Sequence, residues 1–208
     1  MKLVFISDTH ARHRDLTKLP PGQIIIHAGD FCHYGGEAGL LDFLAWYADL
    51  PYAYKILIAG NHDFKPAEEK ETFKDQLPSN IIYLEDGGVD IEGVNFWGSP
   101  VSPDLIGMAF GKNRETGMEE HWKLIPASTD ILITHTPPQG ILDVSRTGRS
   151  LGCEYLRSRL KVIQPKVHVF GHIHASYGQL KLGETHFINA TSVGSAGQPM
   201  HRPISLEI

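Results

Sequence analysis

The sequence predicts an α/β fold: a four-layer α/β/β/α sandwich of two mixed β-sheets flanked by helices. The first third of the chain alternates short apolar runs with helical periodicity, whereas the later part consists mainly of short β-rich runs. Several apolar runs also end directly in polar motifs, which is typical of strands that deliver side chains to one edge of a sheet. At 208 residues and 41% hydrophobic content, residues 1–208 are predicted to form a single domain.

The first elements follow from periodicity. Residues 1–7, 23–28 and 54–59 are predicted to be buried strands. Residues 39–50 carry apolar side chains at a helical period, and Pro51 ends that helix. Residues 66–76 are charged with few apolar positions, and this pattern predicts a surface helix.

From residue 81 onward the pattern changes to short strands separated by glycine-rich turns. Residues 81–84, 89–91 and 94–97 are predicted to form a meander or hairpins. The irregular stretch 98–117 is expected to form a lip over a site, with Phe110 and Arg114 as its candidate contacts. The remaining elements are predicted as a short helix at 118–124, strands at 130–134 and 167–170, a helix at 150–164, and antiparallel strands at 177–182, 185–188 and 204–208.

Charge and cysteine content narrow the class of protein. A formal net charge of −5 and a pI of about 6.2 argue against an extended nucleic-acid surface and against binding to anionic membranes. Cys32 and Cys153 lie far apart, so a disulfide framework is not expected. The sequence contains neither a secretory apolar region nor a stretch that could span a bilayer, and we expect a cytoplasmic protein.

Five short motifs contain the candidate chemistry, and each follows an apolar run. Any one of them could be a set of turn residues, but all five in a fixed order make that interpretation improbable. They are Asp8-Thr9-His10, Gly29-Asp30, Gly60-Asn61-His62-Asp63, Thr134-His135 and Gly171-His172-Ile173-His174.

These motifs supply carboxylate, amide and imidazole donors, which suit first-row divalent ions. We expect two such ions, with Mn²⁺ first and Fe, Zn or Co as alternatives, because seven ligands exceed what one catalytic ion needs. Asp30 ends its strand alone and is the natural bridging ligand. The candidate ligands are Asp8, His10, Asp30, Asn61, His135, His172 and His174.

The order of the motifs resembles that of the calcineurin-like metallophosphoesterase superfamily. The segments Ile133-Thr134-His135-Thr136-Pro137-Pro138 and Gly152-Cys153-Glu154 are similar to a branch of metallophosphoesterase-domain-containing proteins related to cyclic-nucleotide phosphodiesterases. The resemblance implies a fold of two β-sheets between helices. It also implies that Asp8, His10, Asp30 and His174 hold one ion, and that Asp30, Asn61, His135 and His172 hold the other.

The resemblance and the ligand chemistry together predict hydrolysis of phosphoric diesters by a metal-bridging hydroxide. Small generic diesters or cyclic nucleotides are the expected substrates, with Asn61, His62 and His33 as candidate substrate-binding residues. His62 is also the candidate catalytic residue, as a general acid or a phosphoryl ligand. Two alternatives stay open: a phosphomonoesterase or protein phosphatase on the same site, and an inactive scaffold that binds a protein partner. The oligomeric state is left open.

Outside the candidate site, Cys153 is expected to be buried, and four histidines are expected to be structural or on the surface: His121, His168, His186 and His201. His27 lies within a predicted strand and should be a core residue, while Arg12 and His13 are expected to be solvated. Asn189 follows a predicted strand and either supports a ligand or packs its loop. Trp97 is expected in the core.

Overall fold

The structure is a computed structural model that describes residues 1–33, 36–103, 106–194 and 200–208. Residues 104 and 105 of the predicted lip lie outside the described residues. The strands are β1 (Lys2–Ile6), β2 (Ile24–Ala28), β3 (Tyr54–Ile58), β4 (Ile81–Tyr83), β5 (Gly87–Ile91), β6 (Val94–Ser99), β7 (Ser102–Pro103), β8 (Gly111–Lys112), β9 (Ile131–Thr134), β10 (Val167–Phe170), β11 (Gly178–Leu182), β12 (Thr185–Asn189) and β13 (Ile204–Glu207). The helices are α1 (Glu37–Asp49), α2 (Phe64–Glu68), α3 (Lys70–Gln76), α4 (Arg114–Trp122) and α5 (Glu154–Ile163).

Two mixed sheets form the centre of the fold, as the sequence predicted. The first sheet has the order β13-β1-β2-β3-β4, in which β13 runs antiparallel to β1 and the other pairs are parallel. The second has the order β11-β12-β10-β9-β6-β5, with antiparallel strands at both edges. Parallel strands buried on both faces need a covering layer on each side, and here each sheet is covered by the other sheet on one face and by helices on the other.

The alternation of side chains along each strand separates three apolar layers. Leu3 and Phe5 of β1 pack between the two sheets, whereas Val4 and Ile6 face the other way, toward α1. In the second sheet, Ile131 and Ile133 of β9 join the central layer. Their neighbour Leu132 packs with residues of α4 and α5. This pattern accounts for the α/β/β/α order of layers.

Two sequence predictions about elements were wrong. Residues 81–83 are not part of a meander with 89–97; they form β4, which pairs parallel to β3 in the first sheet. The predicted surface helix at 66–76 is two short helices, α2 and α3, and Phe73 of α3 is fully buried. The predicted hairpin of residues 89–91 and 94–97 is confirmed, because β5 and β6 pair antiparallel. Among the described residues, no helix combines the length and the apolar character needed to cross a membrane.

Candidate metal centre

The five motifs meet at one place because each follows the carboxyl end of a strand. Asp8 and Asp30 follow β1 and β2 in the first sheet, while His135 and His172 follow β9 and β10 in the second. The two sheets meet at this edge through a parallel bridge between Ser7 and Thr191. The fold therefore brings the motifs of both sheets into a single site.

One group of donor atoms surrounds Asp8 and His174. Nε2 of His174 lies 3.4 Å from Oδ1 of Asp8 and 3.3 Å from Nε2 of His10. Nε2 of His10 lies 3.7 Å from Oδ2 of Asp30. Two ligands of one ion with bonds of about 2.0–2.2 Å are separated by about 3 Å, so these spacings suit a common cation.

A second group shares Asp30 with the first. Nε2 of His135 lies 3.3 Å from Oδ2 of Asp30 and 2.9 Å from Oδ1 of Asn61. Nδ1 of His172 lies 2.8 Å from the same Asn61 oxygen. The structure thus brings together all seven residues that the sequence nominated as ligands. Asp8 also lies close to Asp30 and His135, and the division of the seven residues between two ions stays a prediction.

The orientation of two imidazoles tests whether this donor set fits a cation. Nδ1 of His135 lies 2.9 Å from the carbonyl oxygen of Ala28, which can only accept, so this nitrogen carries the proton. In the neutral ring, Nε2 then directs a lone pair toward Asn61 Oδ1 and Asp30 Oδ2, which are also acceptors. His10 is held in the same way by the carbonyl oxygen of Cys32, at 3.3 Å. Acceptor atoms that converge in this way are satisfied by a shared proton or a shared cation, and the donor set therefore fits divalent cations.

The pKa values of the two candidate acidic ligands agree with that fit. Burial alone would raise the pKa of Asp30, but the charge and hydrogen bond of His135 outweigh it and bring the pKa to about 2. Burial likewise opposes ionisation of Asp8, yet the hydrogen bond with His174 holds its pKa well below the usual range. Both carboxylates are therefore anionic at neutral pH.

The pKa values of two candidate histidine ligands are shifted in opposite directions. Burial would lower the pKa of His135, but Asp30 raises it to about 9. A proton and a cation compete for the same lone pair, so this rise reports how strongly the site attracts positive charge. Burial lowers the pKa of His172 to about 4, and its ring is neutral and able to act as a ligand at neutral pH.

The ligand loops adopt unusual backbone conformations. The φ angles of Asp8, His10, Asp30 and His172 are 50°, 44°, 57° and 68°, a left-handed region that non-glycine residues rarely occupy. These turns occur at residues whose side chains converge on the site. Glycine precedes the ligands where the backbone passes close to a carboxylate: a side chain at Gly171 would collide with Asp8.

Asp63 organises two of these loops from behind. Its buried carboxylate accepts hydrogen bonds of 2.8 Å from the backbone N–H groups of Asp30, Cys32 and Gly60. These bonds join the loop after β2 to the loop after β3. Asp63 therefore orients the loop and does not face the site, as the sequence predicted.

Sequence reasoning missed Thr191. Its hydroxyl donates a hydrogen bond of 2.7 Å to Oδ2 of Asp8. The only signal was its position shortly after a strand, where Asn189 was considered instead. Asn189 donates to the carbonyl oxygens of Leu142 and Ile173, at 3.1 and 3.0 Å, and so packs its loop.

His62 and His33 lie at the open side of the donor groups. The backbone N–H of His62 donates to Oδ1 of Asp30 at 2.8 Å, and its Nε2 lies 4.0 Å from Oδ2 of the same carboxylate. The rings of His62 and His33 are nearly parallel, with centroids 6.2 Å apart. His33 is exposed, whereas His62 retains only 19% side-chain exposure.

The predicted lip is anchored on a ligand loop. The backbone N–H of Ala109 donates to the carbonyl oxygen of Asn61 at 3.0 Å. Arg114, a candidate substrate contact, forms an ion pair with Glu154. Phe110, the other candidate, packs against the apolar layer between the first sheet and α1.

Several structural histidines were assigned from sequence. His27 is fully buried, with Nε2 3.0 Å from the hydroxyl of Thr9, as expected for a core residue. The prediction that His13 is solvated was wrong: its ring is buried against Phe43 and Trp46, and Nε2 lies 3.0 Å from Asp42. Trp97 is in the core as predicted.

Comparison with solved structures agrees with this architecture. TT1561 of Thermus thermophilus superposes with a TM-score of 0.61 at 13% identity, covering 90% of this chain and 88% of its own. GAP50, described as the anchor in the inner membrane complex of Plasmodium, superposes with a TM-score of 0.56 at 12% identity, covering 98% of this chain and 76% of its own. At these identities the likeness concerns the fold alone.

Other proteins share much more sequence identity with this chain than those solved structures do. Metallophosphoesterase domain-containing protein 1 of Homo sapiens is 38% identical over 100% of this chain and 71% of its own length. A UPF0046 protein of Caenorhabditis elegans is 40% identical over 98% of this chain and 74% of its own length. The family model described as calcineurin-like phosphoesterase matches residues 1–176, which contain all five motifs. The chain therefore belongs to the calcineurin-like phosphoesterase family of metal-dependent phosphoester hydrolases.

Proposed function

We propose that this protein hydrolyses phosphoric diesters, with small generic diesters or cyclic nucleotides as substrates. The observation that carries the proposal is the shared carboxylate: Oδ2 of Asp30 lies within 3.7 Å of His10 Nε2 and 3.3 Å of His135 Nε2, which belong to the two different donor groups. A ligand shared in this way holds two cations at the short separation that phosphoryl transfer uses.

When bound, two divalent ions supply Lewis acidity and an activated water. The chain's own residues position what reacts. Asp30 sets the separation of the two donor groups, and Asp63 holds the backbone of Asp30 by a hydrogen bond of 2.8 Å. Thr191 fixes one oxygen of Asp8, which leaves the other oxygen directed at His174.

His62 is proposed to donate a proton to the leaving oxygen or to hold a phosphoryl oxygen. Its backbone is tied to Asp30, so its ring stays beside the shared carboxylate. Burial lowers its pKa, although Asp30 opposes that shift. A lowered pKa makes the protonated ring a stronger acid toward the leaving group, while it also reduces the protonated fraction at neutral pH.

The charge of the side chains at the open side of the donor groups, here called the mouth of the site, favours a diester over a monoester. A monoester carries a second negative charge near neutral pH and gains most from a fixed arginine or lysine clamp. Among the described residues, His62 lies with its Nε2 4.0 Å from Oδ2 of Asp30, and the ring of His33 lies beside that of His62. Arg114 on the lip is engaged by Glu154.

Mn²⁺ is proposed as the metal, because each donor group mixes oxygen and nitrogen ligands and lacks a thiolate. Fe, Zn and Co are alternatives with similar preferences. We also propose that the chain acts in the cytoplasm as a single domain, since Cys32 and Cys153 are both buried free thiols, which suits a reducing compartment.

Metal analysis and a paired substrate assay test the proposal. Protein saturated with Mn²⁺ is analysed for bound metal and assayed on bis(4-nitrophenyl) phosphate and on 4-nitrophenyl phosphate, followed by a panel of cyclic nucleotides. We expect about two ions per chain, as a dinuclear site requires, and a higher kcat/KM on the diester.

The same experiment separates the alternatives. A higher kcat/KM on the monoester would replace the proposal with a phosphomonoesterase. Two bound ions without hydrolysis of either substrate would support a scaffold that binds a partner. A saturated value near one ion per chain would contradict the dinuclear site itself.

A further inference from the structure

Three histidines form a third cluster of nitrogen atoms at the mouth of the site. One ring nitrogen from each of His10, His33 and His62 lies within 4.8 Å of the other two. The ring of His10 stands edge-on to both partners, with centroids 5.7 Å from His33 and 4.8 Å from His62. His33 and His62 are nearly parallel to each other, at an interplanar angle of 11°.

This cluster differs from the two donor groups of the proposed catalytic centre in the residues that form it. His33 belongs to neither of those groups, and His62 was assigned to substrate. His10 belongs to the cluster and also to the group around Asp8 and His174. A ring nitrogen binds one cation at a time, so a cation that takes His10 into the cluster withdraws it from that group.

We infer that His10, His33 and His62 form an accessory site for an imidazole-preferring divalent cation, such as Zn²⁺ or Ni²⁺, and that occupation of this site inhibits the enzyme. The inference rests on the proposed function only for the inhibitory consequence. The binding itself requires the three rings and nothing else.

Ligand chemistry explains why a different metal would choose this cluster. The proposed catalytic groups mix carboxylate and amide oxygens with imidazoles, a set that serves Mn²⁺ well. The cluster offers nitrogen alone, and Zn²⁺ and Ni²⁺ bind imidazole more strongly than Mn²⁺ does. We therefore expect Zn²⁺ added to the Mn²⁺-saturated protein to inhibit it through the cluster. His33 distinguishes this effect from metal exchange at the catalytic groups, because it belongs to the cluster and to neither catalytic group.

Exposure makes the cluster accessible from solution. His33 is exposed, while the side chains of His10 and His62 keep 10% and 19% exposure. The three ring nitrogens already lie within 4.8 Å of one another, so small side-chain adjustments bring them to the spacing of a common coordination shell. A cation held there occupies His62, whose Nε2 lies 4.0 Å from Oδ2 of Asp30.

Cobalt absorption tests the binding without any measurement of hydrolysis. Metal-free protein is titrated with Co²⁺, whose visible absorption is strong when it is four-coordinate and weak when it is six-coordinate. Wild-type protein should show a component that His33→Asn lacks and that His186→Asn, on β12, retains. Identical spectra and titration curves for wild type and His33→Asn would overturn the inference.

Inhibition provides the second measurement. Each protein is saturated with Mn²⁺ and titrated with Zn²⁺, and its activity is expressed relative to its own maximum, so a change of basal rate does not matter. His33→Asn lacks one of the three ligands, so its half-inhibition should require a Zn²⁺ concentration at least about tenfold higher than that of wild type. An unchanged inhibition midpoint would contradict the accessory site even if the diesterase proposal holds. A protein without hydrolytic activity would leave the cobalt result as the test.

Discussion

The hydroxyl of Thr191 donates a hydrogen bond of 2.7 Å to Oδ2 of Asp8, although 183 positions separate the two residues. The backbone N–H of His172 approaches both oxygens of the same carboxylate, at 3.0 and 3.1 Å. Asp8 is therefore oriented by groups from the second sheet, although it lies on the first. The bond between Thr191 and Asp8 gives the first prediction.

Thr191→Val keeps the shape of the side chain and removes the donor. We expect metal affinity to fall by about 10–100-fold, the usual effect of losing a group that orients a ligand, with the fold retained. Equilibrium dialysis against Mn²⁺ measures this change. Thr185→Val is the matched control, because Thr185 is also buried and hydrogen-bonds to Pro165 away from the motifs. Equal affinities in the two variants would show that Thr191 does not support the site.

Asp30→Asn tests the shared carboxylate. The amide keeps the size of the side chain but loses the charge that both donor groups use. Hydrolysis should fall by at least about a hundredfold and metal binding should weaken, since position and charge are both disturbed. Steady-state kinetics and metal analysis give the two values, with Asp90→Asn in the β5–β6 hairpin as control. Near-normal turnover of Asp30→Asn would exclude the bridging role.

His62→Ala tests a residue that is proposed to act on substrate and to hold neither of the two catalytic ions. Both ions should stay bound, while kcat falls by about 10²–10⁴ if His62 is a general acid. The deficit should shrink on a 4-nitrophenyl ester, whose leaving group needs no proton, compared with an alkyl ester. If metal is lost together with activity, His62 is itself a ligand and the assignment is wrong.

His172→Gly tests the second donor group. Glycine is the suitable replacement because His172 has a φ of 68°, which glycine adopts without strain. The variant should be slower and should hold about one ion, with partial rescue at high Mn²⁺, since Asp30, Asn61 and His135 remain as ligands. Activity is titrated with Mn²⁺ for wild type and variant. Superimposable curves would show that His172 binds no metal.

The pH dependence of stability tests the buried neutral histidines. Burial lowers the pKa of His168 from 6.5 to about 3, and the ring is fully buried. Between these values the unfolded chain binds a proton that the folded chain does not, so the free energy of unfolding falls as the pH decreases below 6.5. One such group contributes at most about 1.4 kcal/mol per pH unit.

His168→Gln removes that proton and keeps a polar group near the hydroxyl of Thr134, which lies 2.8 Å from Nε2 of His168. Urea unfolding with a chelator present should show that wild type loses more stability than the variant, by roughly 1 kcal/mol or more, between about pH 7.5 and about pH 5.5. Parallel pH profiles would mean that His168 accepts a proton in the folded protein.

The sequence by itself determined the type of fold and the chemistry of the site. Apolar runs such as 3–6 and 131–133 are local patterns, and their length and alternation are enough to identify buried strands. Ligand residues directly after those strands must lie at the carboxyl edge of a sheet, whatever the order of the strands. For this reason the candidate ligands could be named without a structure.

Only the tertiary structure decided which distant segments meet. Whether 81–83 pairs with β3 or with a following strand depends on long-range contacts that leave no local signal, and the local pattern predicted the wrong partner. The burial of His13 and the bond from Thr191 to Asp8 have the same origin, because each depends on a partner many residues away. Local sequence specifies the conformation and polarity of a segment, whereas its neighbours are selected by the packing of the whole chain.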